Sequence, residues 1–238
     1  MKLYSYIVRI DRGLAPNPFW GYCTLAVCTP NHVGIYPNNG DWVFGTTPAD
    51  RGNKLIYAMQ VSEVLRFDKY YTDSRFEKKK PNVKGNWRER CGDNMYYLDN
   101  GEWKQHRTMH HHEPETINKD LKYPLVYIAE HFYYFGDKAT EIPTEYQELI
   151  WKRQGCSGKH DPAIVEAFLV WLQKTSSLVF RVIQWTMKKP QDVVVVSEMS
   201  DMLKGEETFN EQRFVAALNR LPEIPEEQER SMECESVC

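Results

Sequence analysis

The sequence predicts an α+β fold, with a curved, mostly antiparallel sheet and helices concentrated in the C-terminal third. Two observations carry that expectation. Short aromatic and β-branched runs separated by Gly, Pro, Asn and Asp fill the chain up to about residue 136. From Pro143 onward the pattern changes to helix caps followed by apolar stretches. The chain has 238 residues, 42% hydrophobic and 26% charged, enough to bury a core without metal or disulfide staples.

The elements follow in order. Leu3–Ile10 has strand composition and ends at Asp11-Arg12-Gly13; Pro16-Asn17-Pro18 then force a loop. Cys23–Cys28 is a short apolar run stopped at Pro30. Asn38-Asn39-Gly40-Asp41 is a turn from which Trp42–Gly45 leaves as a strand, and Lys54–Val61 is another. Ser62–Tyr71 continues that strand or turns helical near Phe67. Residues 77–120 read as polar and irregular, apart from a hairpin in which Asp99-Asn100-Gly101 joins Tyr96–Leu98 to Glu102–Lys104. Leu125–Ala129 and His131–Phe135 complete the strands. Thr144 is an expected N-cap for a helix to Gln154, with Gly155 past its end. Asp161-Pro162 opens a second helix through Leu172, and Thr208-Phe209-Asn210-Glu211 fits a capping box for a third. The expected organisation is a β-rich domain over 1–155 and a helical annex over 156–238 with an acidic tail from Glu223 to Glu235.

Charge and motifs exclude several classes. The net charge of −3 does not describe a general polyanion coat, so a polyanion would need a local basic patch. Neither GxxxxGK[ST] nor GxGxxG occurs, which counts against the usual phosphate-loop and Rossmann enzymes. The longest apolar run, Ala167–Leu172, is far below the roughly 20 residues of a membrane span, and charges interrupt the start where a secretory signal would be apolar. Six cysteines without a CxxC pair read as reduced thiols, giving a cytoplasmic expectation.

Several ordered stretches are more specific: Asp11–Ala26, Gly40–Thr46, Tyr57–Val61 continuing through Phe67–Phe76, Gly92–Tyr96 and His131–Gly136. Taken together, roughly over residues 1–155, they resemble the nucleotide modification associated domain 2 family. A looser similarity is to EVE and PUA-like modules, which hold a modified base on a curved sheet with an aromatic pocket. The resemblance implies a setting of DNA modification or phage defence and a nucleotide or modified base as partner, possibly within DNA.

The candidate site residues are weighed in that light. Asp11, Asn17, Thr24 and Asn94 are polar groups beside broken loops; an asparagine side chain offers the paired donor and acceptor that a base edge requires. They also suit plain loop stitching. Trp20, Trp42, Tyr70, Tyr71 and Phe76 could supply a stacking slot, with core packing as the competing use. Lys78, Lys79, Lys80, Lys84, Arg88 and Arg90, with Trp87 embedded, form a basic run suited to phosphates, or simply a solvated loop. His106 and His110–His112 match no standard metal spacing, so neither a metal nor any other cofactor is expected. If the protein is an enzyme, Asp93 with His110 or His106 is the expected acid/base pair, with Asp11 as another candidate acid/base. Cys156 precedes His160 by four residues, with nothing that fixes a nucleophile–base geometry. The expected function is recognition of a nucleotide or modified base. General acid/base processing of such a ligand is the alternative, and a protein-interaction module without a nucleotide is a further one.

Overall fold

A computed structural model describes residues 1–28, 32, 34–108, 114–153 and 155–187. Ten strands lie among them: β1 Leu3–Ile7, β2 Cys23–Leu25, β3 Trp42–Thr46, β4 Leu55–Gln60, β5 Glu63–Arg66, β6 Tyr96–Asp99, β7 Glu102–Gln105, β8 Leu125–Ala129, β9 His131–Tyr134 and β10 Cys156–Ser157. The helices are α1 Phe67–Thr72, the single turn α2 Trp87–Arg90, α3 Pro114–Leu121 and α4 Pro162–Met187. The fold is mixed α+β and mostly β.

Three sheets result. The first has order β10-β1-β3-β4-β9, the second β2-β8-β5, and β6-β7 form a separate hairpin. Every pairing is antiparallel except β1 with β3. Gln60 pairs with His131 in the first sheet and Glu63 with Ile128 in the second, so the register is unchanged from one to the other. β4–β5 and β8–β9 therefore make one antiparallel ribbon that leaves one sheet and enters the next. The corner at Val61-Ser62 is held by Val61 N–H to the Asp41 carbonyl (2.8 Å) and Ser62 N–H to the Ile128 carbonyl (2.8 Å). Strands that switch sheets in this way make the corners of two-sheet packings.

The strand sequences explain the burial. In β3 and β4 almost every side chain is buried, which suits central strands covered on both faces. At Gly45, an added Cβ would lie 2.5 Å from Val8 Cγ2 and 2.6 Å from Tyr57 Cε1. The Tyr57 ring occupies that space and donates its hydroxyl to Tyr6 Oη at 2.9 Å deep in the core. A second cluster, with Leu14, Phe67, Tyr70, Phe76, Met95, Tyr96 and Ile128, fastens α1 and the hairpin to the second sheet.

Two expectations change in detail. The segment after Pro143 is a 3₁₀ turn, Thr144–Leu149, rather than a helix to Gln154, and Pro143, not Thr144, occupies its N-cap position without a side-chain bond. No cap satisfies the first turn, and Ile150 returns to extended backbone. The described part of the 77–120 stretch is more ordered than its polarity suggests: the 3₁₀ segment Ser74–Lys79 runs into it, and α2, the hairpin and α3 follow. Asn86 and Glu89 cap α2 reciprocally. The compact unit Met1–Leu169 holds all ten strands; α4 starts in it, with Phe168 on Phe44 and Tyr146, and from Val170 belongs to a second unit. The expected cap at Thr208 and the acidic tail lie outside the described residues. Among the described residues no helix is long and apolar enough to cross a membrane.

Gly45→Ala should cost about 1–3 kcal/mol, because neither Val8 nor Tyr57 can withdraw from a close-packed core. A thermal melt of the variant checks it; an unchanged midpoint would show that the Tyr57 ring is free to move.

Candidate functional site

Seven sequence-selected residues meet in one buried polar knot. The 3₁₀ segment Ser74–Lys79 turns Phe76 and Lys79 inward together, and both are completely buried. All three donors of the Lys79 ammonium are used, on the Asn17 carbonyl (3.0 Å), Asn17 Oδ1 (2.8 Å) and the Tyr22 carbonyl (3.0 Å). Asn17 Nδ2 donates to the Cys91 carbonyl at 2.9 Å, and Asn17 and Thr24 exchange backbone hydrogen bonds. Thr24 Oγ1 donates to Asp93 Oδ2 at 2.6 Å and Tyr70 Oη to Asp93 Oδ1 at 2.8 Å. Asn94 Nδ2 donates to the Tyr70 and Phe76 carbonyls, and its backbone N–H to the Lys79 carbonyl. Gly92 is required by this approach, since a Cβ there would lie 2.5 Å from both the Lys79 carbonyl oxygen and Pro81 N.

The electrostatics follow from burial. Loss of water pulls the Lys79 ammonium down to about 8, opposed by the negative charge of Asp93. Burial also raises Asp93, opposed by Lys79 and by the Thr24 and Tyr70 hydrogen bonds. Displaced pairs of this kind mark catalytic sites and structural knots alike. Here Asp93 is 1% exposed and both its oxygens are engaged. Asn17, Thr24, Tyr70, Phe76 and Asn94 are likewise buried. Asp11 stands apart, half-buried, accepting from Tyr134 Oη at 2.8 Å and from the Gly13 N–H. Trp42 is buried and stacked on Tyr133, with interplanar angle 8°. His110 lies outside the described residues. His106 faces Tyr71, not Asp93: its Nε2 is 2.7 Å from Tyr71 Oη.

The basic run divides. Lys79 is not on the surface expected of it, because the three-residue spacing from buried Phe76 sends it inward. Lys84 is exposed, whereas Arg88 and Arg90 on α2 are half-buried. Lys78 Nζ sits 5.6 Å from the Trp20 ring centre, and Lys80 Nζ 4.1 Å from that of Tyr71 while pairing with Glu77. Tyr71 is stacked on Tyr97 (4.9 Å, 23°) and on His106 (5.5 Å, 29°), and all three rings are half-buried. Trp20 has φ 65°, a left-handed conformation rare for a bulky residue, and its buried Nε1 has no hydrogen-bond partner among the described residues. Cost of that kind tends to collect at functional positions.

Tyr97 was absent from the sequence-based site. The signal for it was the hairpin: β6 puts Tyr96 and Tyr97 on opposite faces, so if Tyr96 packs inward Tyr97 must face out. Cys156 and His160 do not form a nucleophile–base pair: His160 Nε2 lies 3.5 Å from Ser5 Oγ, and burial pushes the Cys156 thiol up. Among the described residues no group of three or more His, Cys, Asp or Glu is placed to hold a metal ion.

Lys79→Met should lose about 3–5 kcal/mol of stability, because three acceptors and the Asp93 charge lose their partner. Denaturant unfolding measures it. The pH dependence has a defined sign. The folded Lys79 value, about 8, lies below the ordinary 10.5, so between these values the unfolded chain binds more protons and this group's contribution to stability rises with pH. The stability gap between wild type and Lys79→Met should therefore widen from pH 8 to pH 10; a gap that narrows would contradict the buried charge.

The order of motifs, the bent ribbon and the Gly92–Asn94 turn around which the knot forms describe one chain architecture, and its relationships can be stated. No curated protein and no solved structure matches this chain. A sequence model of one family, described as nucleotide modification associated domain 2, matches residues 1–195, beyond the stretch whose motifs carry the resemblance. With most of its length so matched, the chain belongs to the nucleotide modification associated domain 2 family.

Proposed function

We propose that the protein recognises a nucleotide or modified base within a DNA-modification or phage-defence system, through the surface built by Trp20, Lys78, Tyr71, Lys80, Tyr97 and His106. The single observation that carries this reading is the pairing of half-buried rings with lysine ammonium groups: Lys78 over Trp20 and Lys80 over Tyr71. Rings offer a face to any base, and ammonium groups beside them serve its phosphate. The family supports the nucleotide setting. The corner ribbon supports a curved, PUA/EVE-like platform, and the four cysteines that form no disulfide among the described residues support a reducing, cytoplasmic location.

In this reading Asn17, Thr24, Tyr70, Phe76, Lys79, Asp93 and Asn94 do not touch the ligand. They fix the backbone that carries Lys78, Lys80 and Tyr71. General acid/base chemistry at Asp93 has one observation in its favour, the raised carboxyl, but the proton would have to cross the Thr24 and Tyr70 hydroxyls that enclose it.

Binding of short single-stranded DNA, followed by fluorescence anisotropy, tests the proposal. Tyr71→Ala should weaken binding by about 1–3 kcal/mol, the usual value of one base–ring stack. Lys78→Gln with Lys80→Gln should weaken it and flatten its salt dependence. Binding that survives all three substitutions unchanged places recognition elsewhere.

A further inference from the structure

A second feature is independent of that surface. Glu148, Ile150, Trp151, Lys152, Arg153, Ser157, Lys159 and His160 enclose an open cavity of about 370 Å³, within the size range of small-molecule sites. A concavity of about 20 Å³ beside His32 and Tyr127 is too small for a ligand. We propose that the larger cavity binds the phosphate of a small phosphomonoester.

The charge balance argues for an anion. Lys152, Arg153 and Lys159 bring three positive charges against the one carboxylate of Glu148. Among the described residues none of the three cations has an ion-pair partner. Like charges gathered in a concavity repel one another, and a dianion entering between them relieves that repulsion. The Ser157 hydroxyl and the His160 ring add hydrogen-bonding groups to the lining, and the Trp151 ring an apolar wall for the rest of the ligand.

The frame is anchored. Ile150 and Leu149 are buried below the rim. Ser157 is paired with Ser5 on the edge of the first sheet, and His160 Nε2 lies 3.5 Å from Ser5 Oγ. Gly158 runs so close over Tyr4 that a Cβ would lie 2.7 Å from its ring. Burial holds His160 below the usual imidazole range, opposed by its hydrogen bond with the Ser157 backbone, so the ring is held in place and carries no charge against Glu148 at neutral pH. A phosphomonoester can be a metabolite, a nucleoside monophosphate or the 5′ end of a DNA strand, and these share the chemistry that the cavity reads.

Isothermal titration of the full chain with inorganic phosphate, a nucleoside 5′-monophosphate, the corresponding nucleoside and a 5′-phosphorylated oligonucleotide tests the inference. Inorganic phosphate and the monophosphate should bind in a manner that depends on Lys152 and Lys159, whereas any binding of the nucleoside should be indifferent to both. The 5′-phosphorylated strand binding more tightly than its unphosphorylated form would identify DNA ends as the source; equal binding would identify a free metabolite. Lys152→Gln with Lys159→Gln, both exposed and safe for folding, should weaken monophosphate binding at least tenfold. The same double variant should weaken inorganic phosphate, which offers no base to the aromatic surface, by a similar factor, and this separates the two sites. Nucleoside binding equal to that of its monophosphate overturns the inference, as does an affinity indifferent to Lys152 and Lys159 or the absence of phosphate and monophosphate binding at millimolar concentration.

Discussion

The Lys79 ammonium is the point on which this structure turns. A buried lysine is tolerated only when its donors are all engaged and a countercharge is near. Both conditions are met here by segments far apart in sequence. Asn17 and Tyr22 supply the acceptors, Asp93 the charge, and Thr24 and Tyr70 hold Asp93 in place. One amine thus ties the Pro-rich loop before β2 to the turn before β6, and does so beneath Tyr71 and Lys80 rather than among them. The half-buried rings and ammonium groups above it rest on backbone that this buried charge holds.

The ribbon β4–β5 with β8–β9 plays the complementary role. It sets the relation of the two larger sheets without side-chain charge, by backbone pairing through a corner. α1 leaves directly from its β5 end, so the orientation of Tyr70 inward and Tyr71 outward follows from where that strand stops. Sheet geometry and polar knot therefore converge on the same six-residue helix, one from each side.

Much of this was legible in the residues. The alternation of short apolar runs and turn residues located β1, β3, β4, the hairpin and the β8–β9 pair, because strand composition and Asn-Gly turns are local signals. The family followed from ordered motifs. The assignment of roles was less legible. Lys79 sits in a triple-lysine run, and nothing local separates it from its neighbours except its three-residue distance from Phe76. Asn17 and Thr24 are polar and beside a loop, which suggests a ligand, whereas the partners that they satisfy are Lys79 and Asp93, 62 and 69 residues away. Long-range pairing of polar groups leaves no periodic trace. The 3₁₀ turn after Pro143 was read as a helix because capping residues were present, but a cap works only if its side chain reaches the free amides, and here none does.

The unbroken register of the ribbon has a consequence for how such a chain can vary. A single-residue insertion in either arm would exchange inward and outward faces along the rest of it, in both sheets at once. Length change is therefore excluded from 57–66 and 125–134. It has to be absorbed by what hangs between the arms, from Phe67 to Pro124, a stretch that leaves the second sheet and returns to it beside its starting point. That stretch carries Tyr71, Lys78, Lys80, Tyr97 and His106, so the surface they form can change while the ribbon beneath keeps its length.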